Sequence, residues 1–592
     1  MKRAVRRSSS RNFFRALLSP VVTFAILALP ATALAAKWTV ATILVGEYSA
    51  MENRMRDTGS SDDVNVVVLH YKSQGTAVAY RLLKDTNAAH PKGQCCPNGE
   101  TTCCDIESIP LSSIGISGDL SASAVKKFYQ YIVQHFPADH YLLGLRGEPD
   151  TTRVLTGEWA QGITIVELNS ALKTLVDARG GKKVELLVVG FCTSGALDWA
   201  YGVSPYVDYY VGTPQYTNPP VAERWRVYRW AREVIEKPTI ASRALATRVV
   251  DLFVLTTTDC TTNSNGCSNA PKEPWTCVAI DEAKIPAVAA AVRDAVCAVL
   301  PSVTATVHKA VLSATTMYGS NFMPRYDMAG YFMNLKNKVT DAAAKAAIDR
   351  VLEAHDDSIV TWKYEPGSYS DKAYGYSMLI DDIGSVSEIG TWQIDSLWQA
   401  YMSKTKGGAS PLPAATGMVV DPAEVSLGVS SQASLTARGV SSKFPIMCAL
   451  SPVTWSTDAL NGVATLDSAT ANPVVITGQQ AGTGTLKASA SGVSGQAKVT
   501  VVGSVVSPDA GGGHEEFPDS GTDPVKPGRD GGASPGRPDA GHRPSGGDDG
   551  GSNGRIDLSA YGSCGTTDAS LVMWLAPLVV AVAARRRRSG RG

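Results

Sequence analysis

The sequence predicts an α/β domain with a mainly parallel sheet, then a small all-β sandwich, a disordered linker and a C-terminal transmembrane helix. Three observations carry this. Between Lys37 and about Leu412, short apolar runs alternate with amphipathic stretches of helical period. From Gly417 to Gly503 every run is short, strand-like and bounded by turn residues. Beyond residue 504, Gly, Pro, Asp and Ser displace the apolar residues. The 592 residues are 44% hydrophobic, enough for several packed cores, and Lys+Arg balance Asp+Glu at 55 each. That zero net charge offers no basic surplus for nucleic acid.

Residues 1–36 read as a secretory signal peptide. A basic "MKRAVRRSSSRNFFR" precedes the apolar "ALLSPVVTFAILALP", and "ATALAA" supplies small residues for cleavage near Ala35 or Ala36. The α/β domain, 37–412, opens with the strands "WTVATILVG" and "VNVVVLHY". The amphipathic helix "SASAVKKFYQYIVQHF" leads to the strand "HYLLGL". The helix "TIVELNSALKTLVDARGG", stopped by Gly180 and Gly181, leads to the strand "VELLVVG". In the all-β domain, 417–503, Trp455 of "VTWS" is the expected core anchor. The linker, 504–560, cannot bury a core and should act as a tether of roughly 40 Å end to end. The tail, 561–592, holds Cys564, a 16-residue apolar stretch from Ala569 to Ala584, and four arginines, Arg585 to Arg588.

Export makes the cysteines readable. Cys95, Cys96, Cys103 and Cys104 form one cluster, and Cys260, Cys267, Cys277 and Cys297 a second. In an oxidising compartment all eight read as loop disulfides. Vicinal pairs are poorly spaced for four tetrahedral thiolates, so no metal site is expected, and no motif calls for a cofactor. Cys192, Cys448 and Cys564 stand outside the clusters. Cys192 follows a buried strand, at the end where open α/β sheets place their chemistry.

Several quoted segments carry a resemblance. "KWTVATILVGEYSAMENRM", "FPADHYLLGLRG", "TIVELNSALK", "VELLVVGFCTSGALDWAYGVSPYVDYYVGTP", "YDMAGYFMNL", "AYGYSMLI" and "TWQIDSLWQAYM" resemble, in order, segments of the clostripain-like cysteine peptidases. The resemblance implies a caspase-like sandwich. Six residues separate Cys192 from Asp198 and thirteen separate it from Pro205, the intervals of the family's nucleophile, acidic and Pro positions. Cys192 therefore takes the nucleophile position; a register with Ser194 as nucleophile needs a deletion.

Two family residues are missing. Arg146-Gly147 stands where the family has its dyad His-Gly, and an ungapped count puts Glu148 at the His position. A guanidinium stays protonated, so Arg146 cannot accept the thiol proton, whereas the N–H of Gly147 could still face an oxyanion. Gly190 replaces the Asp that receives a basic P1 side chain. His70 and His140 read as partly exposed structural histidines, and His308 and His355 lie on helical segments without a partner motif.

The all-β segment resembles bacterial Ig-like surface domains, which implies a spacer. The order of tether, Cys564, apolar helix and Arg cluster resembles the myxobacterial sorting tail, which implies lipid attachment at Cys564, a sorting protease as partner and contact with the membrane. The expectation is thus a secreted clostripain-like homologue anchored at the cell surface or outer membrane. Having lost peptidase activity, it would bind an unidentified protein or peptide. An active cysteine endopeptidase using Cys192 with a non-standard base such as Glu148, and an adhesive envelope protein, are the alternatives.

Overall fold

The computed structural model describes residues 35–46, 59–83, 106–147, 153–155, 162–190, 192–214, 227–253, 276–318, 325–364, 373–380, 390–408 and 412–503. Of the expected leader, residues 1–34 lie outside them, as do the linker, the tail, Glu148, Cys95, Cys96, Cys103, Cys104, Cys260, Cys267 and Cys564. Among the described residues no helix is long and apolar enough to cross a membrane.

Strands β1 (Ala36–Val45), β2 (Val64–Ser73), β3 (Thr76–Leu82), β4 (Ile106–Ile109) and β5 (Ala138–Arg146) form one part of the main sheet. A two-residue ribbon, β6 (Arg153–Val154) with β7 (Ile163–Thr164), precedes β8 (Val184–Val189), β9 (Val207–Gly212) and β10 (Thr276–Asp281). A second ribbon pairs β11 (Arg325–Asp327) with β13 (Ser377–Leu379), and β12 (Ile359–Tyr364) completes the sheet. The nine strands run in the order β12-β10-β9-β8-β5-β1-β2-β3-β4.

The expected mainly parallel sheet is corrected to a mixed one. β2, β1, β5, β8 and β9 are parallel, but β3 folds back on β2, β4 on β3, β10 on β9 and β12 on β10. The central strands are buried on both faces, which is why they read as unbroken apolar runs. In β1, Ala41, Ile43 and Val45 join one core while Trp38, Val40 and Leu44 join the other.

Helices cover both faces. α1 (Ala122–His135) starts at Ser121, whose side chain accepts from the Ala124 N–H. α2 (Ile165–Ala178) starts with a capping box, Thr164 with Glu167, and ends where Gly180 and Gly181 take positive φ. α3 (Leu197–Val203) follows the turn after β8. α4 (Val227–Glu236) and α5 (Ser242–Phe253) cover the second face through Trp230, Val234, Leu245 and Val249. α6 (Ile285–Val299), α7 (Ala305–Ala314), α8 (Met328–Lys338), α9 (Ala342–Ser358), α10 (Trp392–Asp395) and α11 (Trp398–Thr405) complete the first face.

The all-β part is a two-sheet sandwich. One sheet holds β14 (Gly417–Asp421), β16 (Gln432–Val440), β19 (Val474–Gly478) and β18 (Ala464–Leu466). The other holds β15 (Glu424–Gly428), β21 (Val493–Val502), β20 (Gly482–Ala490) and β17 (Thr454–Ser456). Trp455 is buried in its core, and its indole N–H donates to the Ala471 carbonyl at 2.7 Å.

Candidate active site

The chain leaves β1 for β2 on one side and returns to β5 on the other, so β1 and β5 flank a topological switch point. Arg146 ends β5, and Gly190 follows the neighbouring β8, with its N–H extending the ladder to the Leu145 carbonyl at 2.8 Å. Arg146 is buried, and its Nη1 donates to the Gly190 carbonyl and lies 3.5 Å from the carbonyl of Gly147, itself buried. The two positions where the resemblance expects the dyad histidine and the P1-binding aspartate thus meet in one contact. At these strand ends a guanidinium rests on a peptide carbonyl.

The turn after β8 carries Cys192, which is buried and disulfide-bonded. None of the other described cysteines is its partner, since Cys297 pairs with Cys448 and Cys277 is free. A sulfur in a disulfide is an electrophile, and only its reduced thiolate can attack a carbonyl. Thr193 holds φ at 54°, a conformation that costs a β-branched residue about 1–3 kcal/mol. The residues around it over-determine that turn. The Ser194 hydroxyl donates to the Val189 carbonyl at 3.0 Å and accepts from the Thr213 N–H at 3.1 Å, while the Ser194 carbonyl accepts from Tyr210 at 2.7 Å. That hydroxyl is committed to the backbone, which leaves Ser194 no nucleophilic role. At Gly195 a Cβ would sit 2.7 Å from the Pro214 nitrogen, and its carbonyl accepts the Ser377 N–H at 2.9 Å.

Asp198, in the first turn of α3, makes a fork-shaped ion pair with Arg325 of β11 at 2.6 and 3.0 Å. Both side chains are fully enclosed, at 0% and 1% exposure. Reading the sequence missed Arg325; no local pattern marks a partner 127 positions away. Two further buried acids lie nearby. Asp327 caps α8 and accepts from the Gly330 N–H, the Tyr374 N–H and the Tyr318 hydroxyl, yet burial still raises its pKa. Glu282 follows β10 with neither oxygen hydrogen-bonded among the described residues, and burial holds its carboxyl well above the usual range.

The histidines have partners of their own. His70, expected to be partly exposed, is instead buried, because β2 is an inner strand of the sheet, and its Nε2 lies 2.8 Å from the Gly46 carbonyl. His140 lies near the start of β5, at the end opposite Arg146, where its ring packs tilted against Trp38 and faces Glu185 at 3.4 Å. His308 meets the Tyr331 hydroxyl at 2.8 Å, and the His355 ring packs tilted against Tyr376. Among the described residues no group of His, Cys, Asp or Glu is arranged to hold a metal ion.

The cysteine expectations need two corrections. Cys277 is a free thiol inside the second core, its side chain turned inward from β10, and burial pushes its pKa up. Cys297 lies on helix α6 rather than in a loop and pairs with Cys448, which stood outside the clusters.

Comparison with protein-family models and with curated proteins found no match. Among solved structures, the chain is similar to a secreted C11 cysteine protease from Bacteroides thetaiotaomicron in complex with an irreversible peptide inhibitor. That similarity has 16% identity and a TM-score of 0.42, over 62% of this chain and 98% of that one. An inactive zymogen C11 protease from Parabacteroides distasonis is similar over the same shares, with 13% identity and a TM-score of 0.41. The S-layer protein rSbsC is similar over 15% of this chain and 13% of its own, with 18% identity and a TM-score of 0.13. At such scores the chemistry of the site has to be read from its own residues.

Proposed function

We propose that the protein is a secreted clostripain-like peptidase homologue without peptidase activity, which binds or scaffolds an unidentified protein or peptide at the cell surface. The contact between Arg146 and the Gly190 carbonyl carries this reading. A peptidase of this kind needs an imidazole to take the thiol proton and return it to the leaving amine; a guanidinium at that point can do neither. Losing that acid–base step costs about 10²–10⁴ in rate. The disulfide at Cys192 supports the same reading, since it removes the nucleophile as well. Gly190 offers no charge to a substrate Lys or Arg. The linker acts as a stalk, and the tail, processed at Cys564 by a sorting protease, supplies the anchor.

The test is hydrolysis of peptides with Arg or Lys at P1, under oxidising and reducing conditions, together with labelling of Cys192 by a peptidyl electrophile. No turnover is expected. Turnover that disappears in Cys192→Ala would instead establish the second reading, an active cysteine endopeptidase with a non-standard base. One observation favours that second reading: the strained Thr193 keeps a sharp turn beside Cys192.

A further inference from the structure

We infer that the β-sandwich is a docked arm locked to the α/β domain by oxidation of Cys297 and Cys448, and that reduction of this one disulfide turns the rigid pair into a hinged one. This replaces the expectation of a passive spacer.

Three kinds of contact meet on one face of α6. Cys297 follows Arg293 by four positions and Asp294 by three, the spacings that place side chains on one side of a helix. From the sandwich, Asp421 of β14 and Arg438 of β16 complete an alternating chain of charges. The Arg293 Nη2 lies 3.3 Å from the Asp421 Oδ2, which also takes the Arg438 Nε at 3.1 Å. Arg438 reaches Asp294 with both terminal nitrogens, at 2.8 and 3.3 Å. Both guanidinium groups are more than nine-tenths buried while Asp294 and Asp421 are about one-third exposed, so salt screens these ion pairs less than surface ones. Past β16, Phe444 and Met447 leave the sandwich and are buried in the core of the α/β domain. The disulfide closes the same seam, with 151 positions between its cysteines.

That separation sets the order of events. The two thiols meet only once α6 and the turn after β16 are both folded and docked, so the bond records completed docking. Forming it joins the two sulfurs and releases two electrons and two protons to a disulfide oxidant of the export compartment, which becomes a dithiol. Before oxidation, the charge chain and the two apolar side chains hold the arm reversibly. After it, the arm opens only if the domain itself unfolds.

The test uses the full exported chain with Cys297→Ala and Cys448→Ala, which leaves the disulfide at Cys192 in place. Amide exchange is read over α6 and residues 441–450, with small-angle scattering for the overall dimensions. Exchange about tenfold faster at both places, and a larger radius of gyration, is the expected result. Adding Arg438→Met to the wild type should leave exchange unchanged, whereas in the cysteine-free background it should release the arm. Unchanged exchange and dimensions without the disulfide would overturn the lock. If the double variant does not fold, wild-type protein at graded dithiol ratios serves instead. Alkylation of Cys297 and Cys448 should then track the rise in exchange, and alkylation with no such rise would refute the inference.

Discussion

Replacing Asp198 with Asn leaves a guanidinium sealed inside the protein without its counter-charge. Arg325 is 1% exposed and donates to both Asp198 oxygens, while its Nε makes no hydrogen bond among the described residues. Breaking such a pair from one side costs about 3–5 kcal/mol, because the remaining charge keeps its desolvation penalty and loses its compensation. At about 2 °C per kcal/mol for a large domain, the melting temperature should fall by roughly 5–10 °C. Calorimetry and urea denaturation measure it, the urea midpoint shifting at constant slope. Asp198→Leu with Arg325→Met removes both charges and should recover most of the loss, since the pair leaves one donor unsatisfied. A single variant within about 1 kcal/mol of the wild type would refute the reasoning. So would a double variant as unstable as the single one, which would make packing around α3 the cause rather than charge.

Three more expectations follow from the site and its surroundings. Glu282 keeps its proton in the fold above the pH at which the unfolded chain loses its own, so stability is complete in acid and falls by about 1.4 kcal/mol per pH unit as pH rises through that window. Glu282→Gln should match the wild type near pH 4 and melt higher at pH 7, and parallel pH profiles would contradict this. Arg146→His with Gly190→Asp should keep the fold by circular dichroism and, under reducing conditions, show weak hydrolysis after basic residues; unfolding would show that these are not the dyad and P1 positions. Mass spectrometry of the surface protein should find its C-terminus at or near Cys564, and recovery of an intact "RRRRSGRG" end would rule out processing there.

Local pattern decided what could be read beforehand. β1, β2, β5 and β8 were legible because strands covered on both faces are unbroken apolar runs, and α2 because Thr164, Glu167 and the two glycines mark its ends. β3 and β4 were not, because the half-exposed strands "TAVAYRL" and "IESI" at one end of the sheet carry little unbroken apolar signal. Their antiparallel return made the sheet mixed. In the site, Cys192, Arg146 and Gly190 were singled out through the resemblance, but nothing local says that Arg146 reaches the Gly190 carbonyl. The same limit hid the pairing of Asp198 with Arg325 and of Cys297 with Cys448, contacts made by folding across more than a hundred positions. Cys277 was misjudged by counting it with its neighbours; the run "TCVAID" already has the character of a buried strand.

The place of β1 in the sheet bears on how the protein is made. It is the first strand of the described chain and an inner one of the sheet, hydrogen-bonded to β2 on one side and to β5, about a hundred positions later, on the other. A chain threaded through a translocon from its N-terminus delivers "AKWTVATILV" before either neighbour exists. Nine of those ten residues are buried in the finished fold, so in transit they form a sticky β-prone segment with both edges open. On the proposed export route, passage would then call for a holding chaperone, or for translocation fast enough to bring β5 out before two nascent copies of β1 find each other.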